Sequence, residues 1–263
     1  MSKRLHIVNP HLYISNMFTP RKLDKPPIRE AIFTIAFKDN ILPDVLGNFL
    51  KTDFIKKNFP SSVPGYQVDI TAASLNVTAS KILDGFTLKP VEKINRLIQV
   101  KRTFLSYHNL SKYDGWELMI SELKTLWAEF CKSVGKSQVS EVRVRNINHI
   151  TLPLPTGTKL KEYIRLLPSV PEGINPKLAN FFIQINTSNP EKGLQATVSE
   201  SILGFNQMQE QIDILLDITV FKKGTFNCNE QEMWDGFESI REYKDDIFFK
   251  CITPKTEKLF NNE

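Results

Sequence analysis

Val139-Ser-Glu-Val-Arg-Val-Arg-Asn-Ile-Asn-His-Ile-Thr-Leu152 is the stretch on which the fold turns. Apolar and polar residues alternate along nearly its whole length, the period of a β-strand and not of a helix. Val142 and Val144 are expected to face a core, with Arg143, Arg145 and Asn148 directed elsewhere. Two arginines and two asparagines are a heavy polar load for a mid-chain strand, because a buried charge has to be paired or solvated. The strand is therefore both an architectural element and a candidate site.

Immediately upstream, Trp116, Met119, Ile120, Leu123, Leu126, Trp127 and Phe130 recur at helical spacing between Asp114-Gly115 and Gly135, which predicts a long helix. Before it, Arg96 to His108 reads as one extended strand. Short strands are expected around Tyr66–Ala72, Leu75–Lys81 and Gly85–Pro90, and the few residues between them favour an antiparallel meander. Pro43 to Asn58 carries Leu46, Phe49, Leu50 and Phe54 at spacings of three and four and predicts one amphipathic helix. Ile28 to Lys38 alternates, with Ala31, Phe33, Ile35 and Phe37 on one strongly apolar face and Glu30 on the other. Lys25-Pro26-Pro27 closes a leader arm of residues 1–27.

Downstream the order repeats. A capped segment at Thr158–Glu162 and a short helix at Lys177–Asn180 precede strands at Phe181–Thr187, Leu194–Ser199 and Gln211–Lys222. A final helix runs through Met233, Trp234, Phe237, Ile240, Tyr243 and Ile247. Both halves thus read strand, helical stretch, antiparallel strands, long helix. The expected fold is α+β, a pseudo-duplicated antiparallel sheet with helices packed on one face, its halves being residues 28–138 and 139–263 of one integrated domain.

Composition narrows the function classes. The 263 residues carry a formal net charge of +5, spread in small groups, which permits nucleic-acid contact without requiring it. Apolar runs fall short of a membrane span and the first residues lack a signal-peptide core, so a cytoplasmic protein without membrane contact is expected. The three cysteines, Cys131, Cys228 and Cys251, are too scattered for a disulfide framework and read as reduced thiols. Four histidines show no metal-ligand spacing, and no nucleophile elbow, P-loop or dinucleotide fingerprint occurs, so neither metal nor cofactor is expected.

Three segments together resemble a known family: Lys25-Pro-Pro-Ile-Arg-Glu-Ala31, Arg145-Asn-Ile-Asn-His-Ile150, and Leu216-Asp-Ile-Thr-Val-Phe221 with the closing Ile247-Phe-x-x-Cys-Ile-Thr253. The family is a sporadically distributed, uncharacterised prokaryotic group with an N-P-P-[IV]-x-E-A start, a mid-chain R-x-G-L-R-Y-x-N-x-I strand, an L-D-I-D-x-[FY] strand and a terminal I-F-x-x-S-I-T. Glu30, Arg145, Asn148 and Asp217 match it; Glu141, Arg143, Asn146 and Thr219 depart from it. The resemblance brings no activity with it. Its patchy occurrence implies a setting among mobile-element, toxin–antitoxin or anti-phage defence genes.

The candidate binding residues are Arg143, Arg145, Asn148, His149, Glu30 and Asp217. Glu30, Arg145, Asn148 and Asp217 lie on predicted strands and could join in one buried network, purely structural or open to an anionic partner group through the arginine fork. The leading expectation is a non-enzymatic binding or regulatory protein with a protein partner or a second copy of itself. A nucleic-acid-binding protein using Arg96, Lys101, Arg102, Phe104 and Tyr107 on a basic sheet surface is the alternative. An enzyme of unrecognised type is the third.

Overall fold

The computed structural model describes residues 21–73, 76–90, 92, 95–135, 138–169, 171, 180–227 and 231–261. Among the described residues nine strands form one antiparallel sheet: β1 (Ile28–Phe37), β2 (Ser61–Ala73), β3 (Asn76–Lys89), β4 (Arg96–Lys101), β5 (Phe104–Leu110), β6 (Val139–Pro153), β7 (Phe182–Asn189), β8 (Leu194–Asn206) and β9 (Gln211–Phe226). Their spatial order is β2-β3-β4-β5-β1-β6-β9-β8-β7. Helices α1 (Pro43–Leu50), α2 (Asp53–Asn58), α3 (Trp116–Val134), α4 (Gln231–Cys251) and α5 (Pro254–Glu257) complete an α+β fold. None of these helices is long and apolar enough to cross a membrane.

β6 lies near the middle of the sheet and is paired along both edges. It pairs with β1 from Ile28↔Asn148 to Phe37↔Val139 and with β9 from Val139↔Phe226 to Pro153↔Gln211. The alternation read from sequence sets which side chains share a face. Ala31, Phe33, Ile35 and Phe37 of β1 fall on the same face as Val142, Val144, Ile150 and Leu152 of β6 and Ile212, Ile214, Leu216, Ile218 and Val220 of β9, and all of them are buried. On this Phe33 face, the Phe33 ring lies 4.8 Å from Trp116 of α3 and 6.0 Å from Phe237 of α4, while Phe37 stacks at 5.3 Å on Phe130. Each such ring removes enough apolar surface from water to contribute about 2–3 kcal/mol. The opposite, Arg145 face carries the odd-numbered residues of β6 from Glu141 onward and of β9 up to Lys223, a bulge after Val139 having put that residue in the core beside Phe37 and Phe226.

Several sequence expectations are corrected. Arg96–His108 is two strands, with a turn at Arg102 and Thr103, because Phe37 and Ile41 donate their N–H groups to the Thr103 and Arg102 carbonyls and hold the bend. Pro43–Asn58 divides after Leu50, where Thr52 turns extended and its hydroxyl caps α2 at the Ile55 N–H. The segment after Thr158 is a single tight turn, Leu160–Glu162. The three short strands before Pro90 are one long hairpin, β2–β3, where Gly85 (φ 153°) lets the chain approach β4 so closely that a Cβ would lie 2.1 Å from the Val100 carbonyl oxygen. Cys251 is a buried free thiol, but Cys131 is disulfide-bonded rather than reduced. Cys228, residues 1–20 of the leader arm and nearly all of the helix expected at Lys177–Asn180 lie outside the described residues.

Candidate binding face and pocket

Arg145 stands on β6 opposite Thr219 and reaches diagonally to Asp217 on β9. Its Nε is 3.0 Å from both carboxylate oxygens, and Nη2 closes the fork. That carboxylate holds the guanidinium above its ordinary range despite partial burial, and Glu30 on the other side adds to the effect. Glu30 Oε1 in turn lies 2.8 Å from His108 Nδ1, and His108 Nε2 is 2.8 Å from the Ser106 hydroxyl. A polar ribbon therefore crosses four adjacent strands, β9, β6, β1 and β5. Burial holds His108 below the usual imidazole range, and Glu30 offsets part of that.

Beside the ribbon, Arg143 pairs with Glu141 at 2.5 Å and lies 5.4 Å over the Phe221 ring. At the other end His149 Nε2 is 3.2 Å from Asp213, near enough to attract it when protonated but not aligned as a hydrogen bond. Asp213 instead accepts from Thr151 at 2.6 Å. Arg143 and Arg145 keep 45 % of their side chains exposed. Five of the six candidate residues, Glu30, Arg143, Arg145, His149 and Asp217, thus share one face.

Asn148 is not with them. It is three residues from Arg145, and uninterrupted alternation sends it to the Phe33 face, where it is 1 % exposed. Its amide nitrogen donates to the backbone carbonyls of Leu216 (2.9 Å) and Asn146 (3.3 Å). The single network expected of Glu30, Arg145, Asn148 and Asp217 is corrected accordingly: the sheet separates Asn148 from the other three.

Asn148 instead lines a cavity of about 350 Å³. Its walls come from β6 and β9, the start of α3, α4 and a strap of residues 21–28. The strap is tied down at Lys25, whose N–H donates to the Phe260 carbonyl (2.8 Å), at Pro27, whose carbonyl accepts from the His149 N–H (2.9 Å), and at Arg21, which pairs with Glu257 and lies 4.0 Å over Phe249. Lys244 of α4, 5 % exposed, donates to Asp245. In the amide orientation its neighbours require, Asn146 donates to the Arg145 carbonyl and accepts from Lys244 Nζ, each at 3.2 Å. Lys244, Asp245 and Asn146 were missed in the sequence. The signal was Lys244 itself, which falls four residues after Ile240 and three before Ile247 and so interrupts the buried stripe with a cation. Tyr243, assigned to that stripe, is only partly buried.

The alternative set separates as well. Arg96 is 2 % exposed on the Phe33 face, where Nε donates to the Tyr107 hydroxyl and to Glu122 (both 2.9 Å) and Nη1 to Asp114 (2.8 Å). Tyr107 is 3 % exposed beside it and its hydroxyl donates to Glu122 at 2.6 Å; burial, with that carboxylate beside it, drives its pKa far upward. Both face a second cavity, of about 590 Å³, rather than open solvent. Phe104 points to the Arg145 face, Lys101 pairs with Asp84 at 2.9 Å, and Arg102 bounds the β4–β5 turn. No exposed basic surface with paired stacking rings results. The physical reason is parity: Phe104 and Tyr107 are three apart on one strand and cannot share a face.

No protein-family model matches the chain, and no curated protein is similar enough to it to serve as a relative.

Proposed function

We propose that the chain is a non-enzymatic binding or regulatory protein whose protein partner seats on the Arg145 face of the sheet. The observation that supports this is how that face is furnished. Ile32, Ile147, Leu215 and Phe221 are only half-buried there, between charges that already satisfy one another. A partner can cover such a surface and gain apolar burial without leaving a bare charge behind, which is how the core of an interface differs from its rim.

The same face disfavours nucleic acid. Arg143 and Arg145 are each held by a carboxylate, and even with exposed Lys223 opposite Glu141 the cations there are outnumbered by Glu30, Glu141, Asp213 and Asp217, so it offers little of the unpaired positive charge that phosphates need. The strand order supports the proposed pseudo-duplication with helices on one face. β1 and its meander β2–β5 lead to α3, β6 and its meander β7–β9 lead to α4, and the two units meet at the β1–β6 ladder. Arg145 would then stand at the junction.

The genomic setting implied by the resemblance, a defence or toxin–antitoxin module, makes the neighbouring gene's product the first partner to test. Co-expression should give a complex that survives purification and is lost on Arg145→Glu. A chain that purifies alone and monomeric under the same conditions overturns the reading.

A further inference from the structure

The cavity beneath the strap is left unused by partner docking on the opposite face. We propose that it is a binding site for a small, uncharged, planar heterocycle that presents an acceptor beside a donor on one edge, as a nucleobase does. At about 350 Å³ it is of small-ligand size.

Its polar groups fix the ligand pattern. Asn148 commits its amide nitrogen to the Leu216 and Asn146 carbonyls, so Oδ1, an acceptor, is the atom it has left for the cavity. Lys244 has three N–H donors and spends two of them, on Asp245 and Asn146, so one donor remains. A neutral lactam edge supplies the two complements: its carbonyl accepts from Lys244 and its adjacent N–H donates to Asn148. All three polar side chains at this end, Asn146, Asn148 and Lys244, are at most 5 % exposed, so an unmatched group there is costly and a matched one is selective.

Charge decides against an anion. Arg21 is held by Glu257, Arg241 by Glu117, Lys244 by Asp245, and Asp114 by Arg96. Lys22 and Asp24 of the strap also line the cavity, but both are exposed at its rim; at the inner, partly desolvated end a charged ligand would have to break one of these pairs, whereas a neutral one leaves them intact. Ile218 from the sheet, Ile28 from the strap, and Trp116 and Phe248 from the helices supply apolar walls suited to a flat ring.

The test is titration of the full chain with free uracil, cytosine, adenine and guanine and their nucleosides, read by calorimetry and ligand-observed NMR, with inorganic phosphate and benzoate as anionic arms. The expected result is saturable one-to-one binding of at least one base or nucleoside and none of the anions. Lys244→Met and Asn148→Ala should weaken binding tenfold or more, the loss expected of a buried hydrogen bond, with the melting transition checked for each. Ile28→Trp, which fills the cavity from the strap and leaves the buried polar groups in place, should abolish binding and keeps the test valid if either polar variant fails to fold. Absence of binding to any base or nucleoside at millimolar concentration overturns the proposal. So does saturation by phosphate or benzoate instead, or undiminished binding by the Ile28→Trp chain.

Discussion

Glu200 of β8 offers the sharpest stability prediction. It lies on the Phe33 face opposite Leu216, 1 % exposed, and neither carboxylate oxygen has a hydrogen-bond partner. Burial alone pushes its pKa up to about 8, and the same surroundings, with Glu200 nearby, push the Cys251 thiol up to about 12. In the unfolded chain the carboxyl returns to its ordinary value of 4.5. A folded pKa above the unfolded one means that the folded state is favoured fully below pH 4.5 and loses stability as pH rises toward 8. The gap of 3.5, from 8 minus 4.5, converts at about 1.4 kcal/mol per unit to roughly 5 kcal/mol. Glu200→Gln keeps the shape and the unpaired polar group but cannot ionise. Wild type and variant should therefore match below about pH 4, while at pH 8 to 9 the variant should be the more stable by about 4 kcal/mol, raising Tm by roughly 8–16 °C. Urea unfolding of both proteins across that range is the assay. Parallel stability profiles would refute the claim that burial holds the Glu200 carboxyl protonated well above the usual carboxylate range.

Other sites give smaller or simpler readouts. Gly85→Ala places a methyl against the Val100 carbonyl at a backbone angle that disfavours side chains, and should cost more than about 1 kcal/mol in chemical denaturation. Phe33→Ala empties the contact shared by Trp116 and Phe237 and should cost about 3–5 kcal/mol, visible as a lowered Tm. Arg145 and Asp217 form a partly exposed pair, with 45 % and 16 % of their side chains exposed, so a double-mutant cycle should return a coupling of only about 1 kcal/mol; a much larger value would mark the pair as structural.

Much of the fold was legible because its strands alternate strictly. Phe33 and Val144 announced their buried face, and Trp116 to Phe130 their helix, through a periodicity set by local geometry. The turn at Arg102 was not legible, since carbonyls accepting from Phe37 and Ile41 make it, and those donors are remote in sequence. The Arg145–Asp217 contact followed from two strand assignments and a register. Asn148 could have been placed by counting from Arg145, yet treating the polar residues of one strand as a group hid the parity. Arg96 and Tyr107 looked like a basic, aromatic surface because nothing local to β4 and β5 reveals that Glu122 of α3 meets them. The cavity combines α4 with β6 and the strap, a meeting of segments more than 90 residues apart, and only Lys244 within its apolar stripe betrayed it.

Docking on the Arg145 face is tested most directly by cysteine accessibility in the complex with the neighbouring gene's product. Single cysteines at Arg143 and Thr151 mark that face, and one at Leu118, 43 % exposed on α3, marks a different surface. All three should react with a maleimide in the free chain. In the complex, Arg143→Cys and Thr151→Cys should become protected while Leu118→Cys keeps its rate. Protection at Leu118→Cys with full reactivity at the two sheet positions would contradict the account.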